Sequence, residues 1–184
     1  MYSSSERKPA LIKECMNGDY DKIKSLLKLG ADPNVTWYES VYDDINCLDI
    51  GIEQAPIFIA INNERIDIVD LLIEYNCDVN IETNHEYYPL SCAINNVNII
   101  RRLIDAGAKI NSGIVYYAAA YCKNSEILDL LYINGANFNS EQSPYNGFPL
   151  AESTPLATAI INQNVTAVNR LISYGCNSEI YGYS

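Results

Sequence analysis

Histidine is almost missing from this chain: His85 is the only one among 184 residues. Zinc sites and Ser-His-Asp relays both lean on imidazole, and no Cys-x-x-Cys spacing stands in for it. The G-x-S-x-G, H-E-x-x-H and G-x-x-x-x-G-K-[ST] motifs are also absent. No apolar run approaches the roughly 18 residues of a membrane-crossing helix. The start, Met1 to Lys8, has no apolar stretch behind its charges, so it does not read as a secretory signal. Residues 1–7 are expected to form a flexible tail.

Positive charge is scarce. Lys and Arg number 12 against 23 Asp and Glu, for a net charge of −11. No cation falls between Lys28 and Arg65, nor between Lys123 and Arg170. Nucleic-acid binding needs clustered cations to displace counterions, so no nucleic-acid or membrane partner is expected. The first gap holds Asp32, Glu39, Asp43, Asp44, Asp49, Glu53 and Glu64. Its natural complement is a basic patch on a protein, which opposite potential draws in. Acidity spread over the whole chain serves solubility equally well.

The six cysteines show no pairing pattern. Cys77 and Cys176 take a slot held elsewhere by Ala31, Ala108 and Ala136, and Cys15, Cys92 and Cys122 fall within helical segments. Cys47 lies in a loop. Free, reduced thiols and a cytoplasmic location, in the parent cell or a host, are expected. The Asn34-Val35-Thr36 and Asn164-Val165-Thr166 triplets carry no meaning without secretion.

What the chain has is a phrase that returns five times: an aliphatic helix, a turn, then a small doublet and Asn. It reads Leu26-Leu27-Lys28-Leu29-Gly30-Ala31-Asp32-Pro33-Asn34 and returns as Leu71-Leu72-Ile73-Glu74-Tyr75-Asn76-Cys77-Asp78-Val79-Asn80. Further copies run Leu103 to Asn111, Leu130 to Asn139 and, degraded, Leu171 to Asn177. A recurring unit of this kind marks a solenoid. Asn76 stands where the other copies have Gly30, Gly107, Gly135 and Gly175, the left-handed position that ends a helix.

Thr154-Pro155-Leu156-Ala157-Thr158-Ala159 opens one unit, and Ala55-Pro56-Ile57-Phe58-Ile59-Ala60 and Tyr88-Pro89-Leu90-Ser91-Cys92-Ala93 open others. With the repeated phrase, these resemble the ankyrin repeats and their T-P-L-H-x-A start. The resemblance implies an all-α, ankyrin-like helical solenoid of about five repeats, at roughly 9–35, 55–81, 88–111, 114–139 and 154–179, within a single domain 8–184. Two long inter-repeat loops are expected, insertions 36–54 and 140–153. The motif histidine is replaced by Phe58, Ser91, Tyr117 and Ala157, so its inter-repeat hydrogen bonds should be lost and stability lowered. Asn95-Asn96-Val97-Asn98 shortens one inter-helix turn, and Asn111-Ser112-Gly113 leaves no room for a finger before the fourth unit. Glu14 replaces the small residue seen as Ala60, Ala93, Ala119 and Ala159, and Asn169-Arg170 replaces an aliphatic one. Both read as polar caps, from which a complete array is expected.

The resemblance further implies exposed pairs at the ends of the first helices: Met16 and Asn17, Asn62 and Asn63, Asn95 and Asn96, Tyr121 and Cys122, Ile161 and Asn162. Finger positions are Gln54, Glu86, Tyr87 and Ser153. The first insertion is richer. Trp37, Tyr38, Glu39, Tyr42, Asp43 and Asp44 join the only Trp to two Tyr and three acids, and interface hot spots favour Trp and Tyr. Two outcomes are open for Trp37 and Tyr38: anchoring a partner, or folding back over the first repeat.

The expected function is a non-enzymatic, monomeric protein–protein interaction module without cofactor or metal. Its binding residues are expected among Trp37, Tyr38, Tyr42, Asp43, Asp44, Asn62, Asn63, Tyr87, Asn95, Asn96, Tyr121 and Ile161. Stand-alone divergent arrays of this kind resemble ankyrin proteins of large DNA viruses and intracellular bacteria, which implies a host protein as partner. An inhibitor or immunity protein masking a basic enzyme is a second reading. An enzyme or metal protein built on Asp43, Asp44 and His85 is a third, from another class.

Overall fold

The computed structural model describes residues 8–39, 42–43, 48–49, 52–82, 88–139 and 154–176. The chain divides into two compact units, residues 1–92 and 93–184. Both are built from antiparallel helix pairs, as the repeated phrase requires.

In the first unit, α1 (Ala10–Asn17) turns through Gly18 into α2 (Tyr20–Lys28), and α3 (Pro56–Asn62) turns into α4 (Ile66–Glu74). A one-turn helix, α5 (Pro89–Cys92), follows. First helix packs on first helix and second on second: α1 meets α2 and α3, while α2 meets α4. Pro56 sits in the first turn of α3, where no N–H is needed. Asp19 caps α2 by accepting from Lys22 N at 3.2 Å. Leu11, Ile12, Ile23, Ile57, Ile68, Leu71 and Leu72 are all buried.

Insertion 36–54 differs from the expected loop. Its described residues form an antiparallel ribbon of β1 (Trp37–Glu39) with β4 (Ile52–Gln54) and β2 (Tyr42–Asp43) with β3 (Leu48–Asp49). Aromatic and branched residues in both arms favour strand geometry, and pairing satisfies backbone groups that a bare loop would leave to water. Insertion 140–153 lies outside the described residues.

The second unit holds α6 (Val97–Asp105), α7 (Ser112–Tyr121), α8 (Ser125–Ile133), α9 (Pro155–Ile161) and α10 (Val165–Ser173). Here α7 packs on α9, α6 and α10 both pack on α8, and α9 pairs with α10. Asn96, Asn111, Asn124, Thr154 and Asn164 each cap the helix that follows them. Helix α7 starts directly after Asn111, with no finger before it, as the spacing predicts.

Each second helix closes in the same way. Ala31, Cys77, Ala108, Ala136 and Cys176 donate their N–H to the carbonyls of Leu26, Leu72, Leu103, Leu131 and Leu171. The residue before each donor is left-handed: Gly30, Asn76, Gly107, Gly135 and Gly175. Asn76 has φ 60°, as its place among the glycines predicts.

Polar ties between repeats come from residues other than the missing histidine. Arg65, just before α4, donates from Nη1 to Gly18 O at 2.7 Å and pairs with Asp67 at 2.6 Å. Asn164, just before α10, donates from Nδ2 to Ala119 O at 3.0 Å and Cys122 O at 2.8 Å. The Cys122 thiol donates to Ile94 O at 3.5 Å, and Asp78 N donates to Asn34 Oδ1 at 2.6 Å.

The polar cap expected at Asn169-Arg170 is also corrected. Asn169 is exposed, but Arg170 turns back to Asp129 on α8, with Nη2 at 2.5 Å from the carboxylate. Tyr174 donates its hydroxyl to the other Asp129 oxygen and stacks on Tyr132 with ring centroids 4.1 Å apart. Burial and then the Asp129 carboxylate hold the Tyr174 hydroxyl well above its ordinary pKa. An acid on the adjoining helix gives the guanidinium a partner.

Candidate protein-binding site

The ribbon in the first unit gathers most of the candidates. Its ladder sets Trp37 opposite Gln54, Tyr38 opposite Glu53, and Glu39 opposite Ile52. Farther out, Tyr42 lies opposite Asp49, and Asp43 opposite Leu48. Both tyrosines therefore stand opposite acids in the backbone register. Asp44 lies outside the described residues, as do Tyr87, Glu86, Ser153 and His85.

Trp37 and Tyr38 part ways. Tyr38 is 47% exposed. Trp37 is half-buried, and its indole N–H is shielded from water without a hydrogen-bond partner. The Gln54 side-chain oxygen is likewise buried and unpaired. A donor and an acceptor without partners thus sit at one rung of the ladder. The sequence could not show this, because it depends on where β4 pairs with β1.

At the first-helix ends of the same unit, Met16, Asn17, Asn62 and Asn63 are exposed. Helices α1 and α3 pack together, and three of these four exposed residues are asparagines. In the second unit, Asn95 is exposed, while Asn96 caps α6 by accepting from Ile99 N at 3.2 Å. Cys122 is buried. Tyr121 and Ile161 stand at matching ends of the adjoining helices α7 and α9, 54% and 52% exposed. Tyr117 lies behind Tyr121, with ring centroids 4.9 Å apart. Sequence reasoning passed over Tyr117 because the family motif places histidine there.

Five cysteines are described, and none is in a disulfide. Burial pushes the thiols of Cys15 and Cys77 up to about 12 and that of Cys92 up to about 11. Such thiols stay protonated at neutral pH and make poor nucleophiles. Cys47 lies outside the described residues. Among the described residues, no group of three or more His, Cys, Asp or Glu could hold a metal ion, and no helix is long and apolar enough to cross a membrane.

The model of a family described as ankyrin repeats, in three copies, matches residues 11–113, more than half of the chain. A Dictyostelium discoideum protein described as NAD-dependent deacetylase sir2B is 21% identical over 169 residues. That alignment covers 86% of this chain and 20% of the relative, so the chain spans about a fifth of the relative's length.

Proposed function

This chain belongs to the ankyrin-repeat family, and we propose that it binds its protein partner chiefly through the ribbon at 37–54, without catalysing a reaction. Ankyrin repeats are protein–protein interaction modules. The observation that carries the finer reading is Tyr38, an exposed aromatic held on a hydrogen-bonded strand within the cation-free stretch between Lys28 and Arg65. A ladder-held tyrosine loses little conformational freedom on binding, which favours affinity. Asp43 and Asp44 steer a basic patch toward it. Asn62, Asn63, Tyr87 and Asn95 widen the surface, while Tyr121 and Ile161 offer a second, apolar contact. The partner is a protein of the cytoplasm, the chain's own or a host's. The deacetylase activity named for the Dictyostelium relative is not carried over, because the alignment reaches only 20% of that protein.

The test pairs two ribbon variants against a captured partner identified by mass spectrometry. Tyr38→Ala should weaken binding by roughly 2 kcal/mol with an unchanged melting temperature. Trp37→Ala should lower the melting temperature, because the indole is partly covered. Neutralising Asp43 and Asp44 should slow association, with the effect fading as salt rises. Unchanged affinity in all three variants would move the interface away from the ribbon, to Tyr121 and Ile161.

A further inference from the structure

The two ladders of the ribbon keep one register. Trp37 opposes Gln54 and Glu39 opposes Ile52, and beyond them Tyr42 opposes Asp49 and Asp43 opposes Leu48. Each step along one arm is thus matched by one step back along the other, across both ladders. Side chains alternate between the faces of a strand, and directly opposite residues share a face. Positions 38, 42, 49 and 53 therefore fall on one face, with Tyr38 opposite Glu53 and Tyr42 opposite Asp49. Trp37, Asp43, Leu48 and Gln54 belong to the other face.

The faces differ in cover. At the Trp37–Gln54 rung the indole nitrogen and the amide oxygen are shielded from water, whereas Tyr38, one position on, is exposed. The Tyr38 face places a tyrosine opposite an acid at two rungs, four positions apart, in a stretch without Lys or Arg. A guanidinium suits such a rung. Its plane lies on an aromatic ring while its N–H groups fork onto a carboxylate, and it is more weakly hydrated than an ammonium. Four positions of strand span about 13 Å, the same rise as four residues of any extended chain.

Given the ribbon as the binding surface, the reading on which this rests, we propose that the Tyr38 face takes an extended segment of the partner carrying arginines four residues apart. Each arginine meets one tyrosine–acid rung. Charge fixes the occupant: Glu53 and Asp49 bring two negative charges, and no Lys or Arg lies between Lys28 and Arg65 to offset them. A lysine-bearing segment matches the charge but lacks the planar group that stacks on tyrosine. An acidic or phosphorylated segment is repelled. Asp43, on the other face, adds to the long-range field rather than to the contact.

An NMR titration of the full chain with a short, end-capped peptide bearing two arginines four residues apart tests this. Its analogues carry two lysines or two citrullines, the uncharged isostere of arginine. The arginine peptide should bind, the lysine peptide about threefold more weakly, and the citrulline peptide not at all. Glu53→Gln and Asp49→Asn should each raise the dissociation constant about threefold, and Tyr38→Ala about fivefold. Tyr38→Phe, which keeps the ring, should stay near the native value, and Ile161→Ala, in the second unit, should change nothing. No binding of the arginine peptide overturns the proposal. So does equal affinity for the lysine or citrulline peptide, or a dissociation constant indifferent to Glu53→Gln. If the peptides fail while Tyr38→Ala still weakens the captured partner, the arginine reading alone falls. If Tyr38→Ala leaves that partner bound as before, the ribbon reading falls with it.

Discussion

The side-chain amide of Asn164 donates to the carbonyl of Cys122 at 2.8 Å, 42 positions earlier in the chain. The same nitrogen reaches Ala119 O at 3.0 Å, while the side-chain oxygen caps α10 through Ala167 N at 3.2 Å. One residue thus starts a helix and ties it to the preceding repeat. Asn164→Ala should cost about 1–3 kcal/mol, since it removes a cap and leaves carbonyls short of a donor. Asn162→Ala, on an exposed residue two places away, should cost about 0.5 kcal/mol or less. Urea denaturation of the two variants checks the contrast. Equal losses would deny the inter-repeat tie.

Leu72 is fully buried, so Leu72→Ala should cost about 2–5 kcal/mol through lost transfer energy and a cavity. Arg170→Ala removes a half-exposed ion pair with Asp129, worth about 0.2–1 kcal/mol and weaker in salt. Melting both variants at low and high salt separates them: only the Arg170 effect should shrink.

Asn76 and Glu64 both have positive φ, 60° and 53°. Asn tolerates the left-handed region better than Glu does. Asn76→Gly should therefore be close to neutral, and Glu64→Gly should stabilise slightly. Chemical denaturation decides. A loss above about 1 kcal/mol in Asn76→Gly would mean that the amide side chain makes a needed bond.

Burial raises the Cys15, Cys77 and Cys92 thiols to about 12, 12 and 11. The sign is that of a group whose ionised form the fold disfavours. Below those values these three thiols stay neutral, and their alkylation in the native protein at pH 8 should be slow. Unfolding should restore fast alkylation at all six positions, with no mass deficit from a disulfide. Intact-mass spectrometry against time, with and without denaturant, gives both results.

The helix pairs and the left-handed ends were legible because they depend on local chemistry. An Asn among glycines at Asn76 and Pro at the starts of α3 and α9 speak through neighbours within five positions. The repeated aliphatic phrase likewise contains Leu72 and Leu131, both fully buried. The ribbon was less legible. Residues 36–54 read as a loop because strand pairing between Trp37 and Gln54 is a contact across 17 positions, and no short window contains it. The helix-capping role of Asn96 was not read from the sequence, because the same amide suits both an interface and a cap. Arg170 read as an outward-facing cap, since a charge in a terminal repeat has no partner within its own helix. Its partner, Asp129, lies 41 positions earlier and was brought alongside by the packing of α10 on α8. The sequence determined which helices form and where they end, because those choices are settled by hydrogen bonds a few residues long. Tertiary packing decided which polar side chains face water, because distant backbone and side-chain groups competed successfully for them.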